Sequence, residues 1–174
     1  TRIDVLAGAP PCQGFSHAGF RSKVTRTGYR LGRADRNFLF EHMVAAALEL
    51  RPRMFLMENV PGMQSARKEG RSFLEAAARM LEDRGGFKTA IWRTNAAAHG
   101  VPQDRIRYFL VASTSGELPI PPVEEYQDHR QDFDVDALPP ITLDEAIFDL
   151  PPLKAGQGTG VDFTTRNSAT RDPR

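Results

Sequence analysis

Ile3-Asp4-Val5-Leu6-Ala7-Gly8-Ala9, followed by Pro10-Pro11-Cys12-Gln13-Gly14, is the stretch on which the fold turns. A short apolar run closed by prolines and a glycine is the pattern of a buried strand that ends in a turn. Further along, Phe38 to Leu50 carries Phe40, Met43, Val44, Ala47 and Leu48 at helical spacing and predicts a helix. Met54 to Met57 is a second short apolar run, bounded by Pro52 and by Pro61-Gly62, and predicts a strand. Ser72-Phe73-Leu74-Glu75 has the form of a capping box. Phe73, Ala77, Met80 and Leu81 then share one helical face until Gly85-Gly86 ends the run. Lys88 to Arg93 and Arg107 to Ala112 predict two further strands. The order strand, helix, strand, helix, strand, strand implies an α/β fold with a mostly parallel sheet and helical crossovers.

Composition agrees with one globular domain: 174 residues, 40% apolar and 26% charged. A single cysteine excludes a disulfide framework and a Cys-rich zinc site. The four histidines show no paired spacing and no neighbouring carboxylate pattern, so no metal is expected. No apolar run approaches the roughly 18 residues of a membrane span, and no signal-peptide pattern opens the chain. The first residue is Thr1, which suggests a processed product or a piece of a longer protein.

The net charge of +1 hides a split. Residues 1–115 hold 18 Lys/Arg against 10 Asp/Glu, residues 116–150 hold 1 against 10, and residues 151–174 hold 4 against 2. A basic first part fits a polyanionic partner, and 19 of the 23 basic residues are Arg, the better bidentate phosphate ligand. Eight of the 13 prolines lie in the last 60 residues. Residues 116–174 therefore read as an acidic, Pro-rich connector, with one short helix expected from Asp144 to Leu150. Residues 12–37 read as a long loop rich in Gly, Ser and Arg. The glycines of Gly156-Gln157-Gly158-Thr159-Gly160 follow no strand and lack a P-loop lysine, so they read as a flexible loop.

Ligands of open parallel sheets bind at the carboxyl ends of the strands. Three clusters fall there: Pro10-Pro11-Cys12-Gln13 after the first strand, Glu58-Asn59-Val60 after the second, and Gln103, Arg105 and Arg107 entering the last. If extended, residues 103, 105 and 107 alternate onto one face. A cysteine thiolate is the strongest side-chain nucleophile near neutral pH, and two arginines beside it favour the thiolate. A carboxyl group kept protonated by burial can pass its proton to a substrate. Together these suit addition of a thiolate to an electron-poor ring, with Glu58 protonating a ring nitrogen and Asn59 and the arginines fixing the ring's polar edge. Each piece also has a plainer reading: Cys12 as a small buried residue, Glu58-Asn59 as turn or capping residues, Arg105 and Arg107 as edge charges that block aggregation.

Gly8-Ala9-Pro10-Pro11-Cys12-Gln13-Gly14-Phe15-Ser16 resembles the nucleophile motif of the cytosine carbon-5 DNA methyltransferases. Met57-Glu58-Asn59-Val60 is similar to their Glu-Asn-Val motif, and Gly100-Val101-Pro102-Gln103-Asp104-Arg105-Ile106-Arg107 to their Gln-x-Arg-x-Arg motif. The likeness covers residue 2 to about 115; Thr142 to Pro152 is loosely similar to the segment before the family's target-recognition domain. It implies a Rossmann-like, S-adenosylmethionine-dependent methyltransferase sheet of which only the second half is present, with residues 1–115 as the catalytic half. The family's glycine-rich cofactor motif, its last two motifs and its target-recognition domain find no counterpart here, so weak cofactor binding by this chain is expected.

The resemblance implies a flipped-out cytosine in double-stranded DNA. Cys12 attacks ring carbon-6, Glu58 protonates or holds ring nitrogen-3, Arg107 contacts the ring carbonyl and Arg105 supports the Cys12 site. Pro11, Asn59 and Leu39 are the expected cofactor contacts. Gln13, Ser16 and Arg36 belong to a loop that closes on DNA, and residues 17–37 hold six basic residues against one acidic. A cytoplasmic, nucleoid-associated bacterial protein of restriction-modification follows from the same likeness. Transfer RNA is an alternative substrate. A non-catalytic DNA- or partner-binding remnant and an unrelated Cys hydrolase using His17 or His99 are alternatives of other classes. Oligomeric state is left open.

Overall fold

The computed structural model describes residues 3–11, 39–68, 70–132 and 134–150. These fall into two compact units. One draws on Thr1–Asn95 and Arg105–Val123, the other on Ala96–Asp104 and Glu124–Arg174.

The first unit holds a four-stranded sheet of β1 (Val5–Gly8), β2 (Met54–Asn59), β5 (Lys88–Asn95) and β6 (Ile106–Ser113), in the order β1-β2-β6-β5. Helix α1 (Leu39–Leu50) links β1 to β2. A short helix α2 (Pro61–Ser65), a two-stranded hairpin of β3 (Arg67–Lys68) and β4 (Arg71–Ser72), and helix α3 (Phe73–Gly85) link β2 to β5. β1 and β2 pair in parallel, Val5 opposite Met54 through Gly8 opposite Met57. β6 is antiparallel to both β2 and β5, so β1, β2 and β5 share one direction and β6 alone is reversed. The sheet is thus mostly parallel in strand direction, as expected, while the parallel ladder itself is confined to β1–β2. The cause is the short connection between β5 and β6: a return to the same direction needs a crossover, usually a helix, and residues 96–105 supply none long enough.

Alternation along β2 decides what each face carries. Phe55, Met57 and Asn59 are buried, whereas Met54, Leu56 and Glu58 are half-buried on the other face. Phe55 stands opposite Ala112 and Met57 opposite Leu110. These four join Phe40, Val44 and Ala47 of α1, Met63 of α2 and Phe73, Leu74, Ala77 and Leu81 of α3 in one core. The rings of Phe40 and Phe73 meet edge to face at 6.1 Å, tying α1 to α3. Arg51 takes a left-handed backbone (φ 46°) to end α1, donates its N–H to Ala47, and lays its guanidinium over the Phe87 ring at 5.9 Å.

The capping box at Ser72 is present as predicted. The Ser72 hydroxyl accepts from the Glu75 N–H at 3.1 Å, and the Ser72 N–H donates to Glu75 Oε2 at 2.8 Å. Gly86 closes α3 in the left-handed conformation, and a Cβ on Gly85 would lie 2.6 Å from the Phe87 ring. In the second unit a 3-10 turn spans Ala96–His99, an isolated bridge joins Tyr126 to Leu138, and α4 (Leu143–Ile147) starts from a second capping box, Thr142 with Glu145. The Thr-x-x-Glu spacing at 142–145 announces that start one residue before the helix expected at Asp144. Among the described residues no helix is long and apolar enough to cross a membrane.

Ser72→Ala is expected to cost about 1 kcal/mol of stability in urea denaturation, since it removes the acceptor for an otherwise orphaned N–H. The Ser72 backbone N–H, helped by its hydroxyl and by Arg67 and Arg71, holds the Glu75 carboxyl below the ordinary glutamate value. A depressed native value stabilises at neutral pH and loses that contribution as pH falls through it. The stability gap between the parent protein and Glu75→Gln should therefore be present at neutral pH and close in acid.

Candidate active site

Because β1 and β2 run side by side, their carboxyl ends meet at one edge of the sheet, Gly8 beside Met57. Because β6 is reversed, its first residues reach that same edge, with Glu58 opposite Phe109 and Asn59 opposite Tyr108. Glu58 and Asn59 were expected just after the second strand. They are its last two residues, since the ladder with β6 continues through both.

Alternation sends their side chains to opposite faces. Asn59 turns into the core and is 2% exposed. Its Nδ2 donates to the Pro10 carbonyl at 3.4 Å and its Oδ1 accepts from the Val60 N–H at 2.9 Å. It thereby ties the segment that leads into Cys12 to the end of β2. With its amide so engaged and so buried, Asn59 acts as a brace between strand ends.

Glu58 turns to the other face, where Arg107, two residues before Phe109 on β6, is its diagonal neighbour. Arg107 Nε lies 2.7 Å from Glu58 Oε1. The N–H is not aimed at that oxygen, and Nε has no directed hydrogen bond although it is buried, so this pairing is coulombic. Arg107 Nη1 donates to the Ile106 carbonyl at 2.7 Å, which fixes the guanidinium against its own strand. The burial expected of Glu58 is not found: its side chain is 30% exposed and shares its site with a cation.

The expected alternation of residues 103, 105 and 107 on one extended face is corrected. β6 begins at Ile106, so only Arg107 lies in the strand. Arg105 precedes it with an exposed side chain, and Gln103 belongs to the other unit. Buried Asn95 sets this path: its Oδ1 accepts the Arg105 N–H at 2.9 Å. Neither Asn95 nor its role is announced by a motif: the strand expected over Lys88 to Arg93 stops two residues short of it, whereas the observed strand runs to Asn95. Pro11 and Leu39 stand exposed on either side of residues 12–38. Cys12, Gln13, Ser16 and Arg36 lie outside the described residues, as does the glycine-rich stretch at 156–160.

The family model for C-5 cytosine-specific DNA methylases matches residues 1–170. The Type II methyltransferase M.DdeI of Desulfomicrobium norvegicum is 30% identical over 161 residues, 90% of this chain and 34% of that protein. M.XorII of Xanthomonas oryzae pv. oryzae is 36% identical over 124 residues, 71% of this chain and 26% of that protein. The chain thus spans about a third of the length of the curated relatives it matches. Among solved structures, a candidate DNA modification methyltransferase encoded within an E. coli prophage matches at a TM-score of 0.55 and 26% identity, over 88% of this chain and 36% of that one. The sheet is part of the Rossmann-like methyltransferase fold.

Asn59→Ala removes both internal hydrogen bonds of a buried amide. It is expected to destabilise the protein by about 1–3 kcal/mol in chemical denaturation, with Pro10 released from the end of β2.

Proposed function

Because the chain belongs to the C-5 cytosine-specific DNA methylase family, we propose that it carries the base-handling half of a DNA (cytosine-5)-methyltransferase. Residues 1–115 are read as that catalytic half and residues 116–174 as the connector towards target recognition. The observation that carries the reading is the Glu58–Arg107 pair on the open face of the strand ends, with Asn59 beside it holding the residue two before Cys12.

The Cys12 thiolate adds to carbon-6 of a cytosine extruded from the duplex, and the ring's electron pair moves towards nitrogen-3, which the Glu58 carboxyl holds or protonates. Arg107 faces the same edge of the base, its charge opposing the negative charge that gathers there. S-adenosylmethionine, when bound, supplies the methyl group that carbon-5 takes up. Loss of the carbon-5 proton, departure of the Cys12 sulfur and return of any nitrogen-3 proton to Glu58 then restore the aromatic ring and the free enzyme. For the cofactor, Pro11 and Leu39 offer exposed apolar contacts at the end of β1 and the start of α1. Asn59, by contrast, contributes position only. Arg105 supports the thiolate through its charge. Gln13, Ser16 and Arg36 contribute to DNA contact, in keeping with the basic excess of residues 17–37.

In the intact protein, Cys12→Ser is expected to abolish transfer of a tritiated methyl group to DNA while leaving the melting curve unchanged; retained transfer refutes the nucleophile. Glu58→Gln is expected to lower kcat by about two to four orders of magnitude, the range lost with a general acid.

A further inference from the structure

Between β2 and α3, within the first unit, the chain forms the β3–β4 hairpin. Met63 before it and Phe73 after it belong to the core, whereas Arg67 and Arg71 are exposed. Residues 67–72 hold three basic residues against one acidic. The register sets Lys68 opposite Arg71, and like charges at directly opposed positions weaken a ladder. A two-stranded hairpin has little pairing to spare for that cost. The nearby carboxylate is already engaged: Glu75 Oε2 accepts the Ser72 N–H at 2.8 Å as half of the capping box. Arg67 Nη1 stands 3.9 Å from that oxygen, beyond hydrogen-bonding distance, and donates instead to the Gly70 carbonyl at 3.0 Å, with its side chain 58% exposed.

The topology puts these charges at the edge that carries Glu58 and Arg107. α2 starts directly after Val60 and is only five residues long, about 7.5 Å. Ser72 Oγ donates to Gln64 Oε1 at 3.1 Å, which ties the hairpin to α2. α3 then runs back to Gly85, and β5 begins at Lys88, opposite Ser113 at the end of β6. Ser113 in turn stands opposite Met54, the start of β2. The end of α3 therefore lies at the far edge, and its start, with the hairpin, at the edge of the candidate site.

We propose that the β3–β4 hairpin is a DNA-backbone contact in which Arg67 and Arg71 bind phosphates beside the extruded cytosine. This rests on the function proposed above: a duplex that delivers a base to Glu58 and Arg107 brings its flanking phosphates to the same edge. A polyanion neutralises the opposed cations and so removes the cost that the free hairpin bears. Arginine suits the task through bidentate phosphate contacts, and a contact of this kind positions the duplex without reading its sequence.

The test is the salt dependence of duplex DNA binding by the intact protein, read by fluorescence anisotropy. The slope of log K against log salt should become shallower by about one for Arg71→Gln and by about two for Arg67→Gln/Arg71→Gln, whatever the duplex sequence. Arg71→Gln leaves the Arg67–Gly70 contact in place, so it separates charge from hairpin shape, and Arg71→Lys should keep most of the slope. Arg84→Gln makes the same charge change in the last turn of α3, at the far edge, and should leave the slope unchanged. In hydrogen exchange, duplex DNA should slow the amides of residues 67–72 in the parent protein and not in the double variant. An unchanged slope in the double variant, an equal loss with Arg84→Gln, no protection at 67–72, or a loss seen with RNA and not with duplex DNA overturns the proposal. Methyl transfer is scored separately. Transfer with an unchanged slope overturns the hairpin contact alone, whereas no transfer with the slope loss present refutes the proposed function and leaves the contact standing.

Discussion

The antiparallel ladder between β2 and β6 is the constraint from which the candidate site follows. A strand that runs against its neighbour brings its beginning to the neighbour's end. Arg107, the second residue of β6, therefore lies beside Glu58, the second-last of β2, although 49 positions separate them. Had β6 run parallel, Arg107 would sit at the opposite edge and Glu58 would face the strand end alone. The same ladder sorts the two faces. Phe55 with Ala112 and Met57 with Leu110 go to the helices, and the intervening pairs, ending in Glu58 and Phe109, go to the other side. One register satisfies both the core and the charged pair, and a slip by one residue would undo both together.

Two buried asparagines do for the backbone what the ladder does for the strands. Asn59 and Asn95 each end a strand, each lie inside the unit, and each spend side-chain amide atoms on a chain segment outside the ladder: Pro10 for the first, Arg105 for the second. A buried amide is costly unless paired, so these contacts hold only when the receiving segments are in place. The coupling runs both ways: the strand ends fix the approaches to Cys12 and to the arginines, and those approaches satisfy the strand ends.

The elements were legible in the residues wherever one physical signal acted alone. Helical spacing of Phe40, Val44 and Ala47 marked α1, and Ser72-x-x-Glu75 with Gly85-Gly86 marked both ends of α3. What was not legible depends on pairing between distant segments. Nothing in Ile106–Ser113 states that it runs against β2; that follows from the length of chain available after β5. The alternation of residues 103, 105 and 107 looked extended because a period of two cannot reveal where a ladder stops. Burial of the Glu58 carboxyl is an expectation from the chemistry alone, whereas its face is decided by the parity of β2 relative to Phe55 and Met57.

The acidic segment illustrates the same limit in charge. As composition, ten acidic residues against one basic describe a solvated connector, and by that measure Arg130 is the exception to be averaged away. In the fold the exception carries the information. An isolated exposed ion pair contributes little, because both side chains must be ordered in a well-screened setting. Here the ordering is already done: Asp128 anchors the Arg130 backbone, Tyr126 sits against Gly100, and two N–H groups share the Ala98 carbonyl. Asp104 and Arg105 are adjacent in the chain yet belong to different compact units. The grip of Arg130 on Asp104 is thus internal to its own unit, where it fixes the orientation of the loop as well as adding attraction.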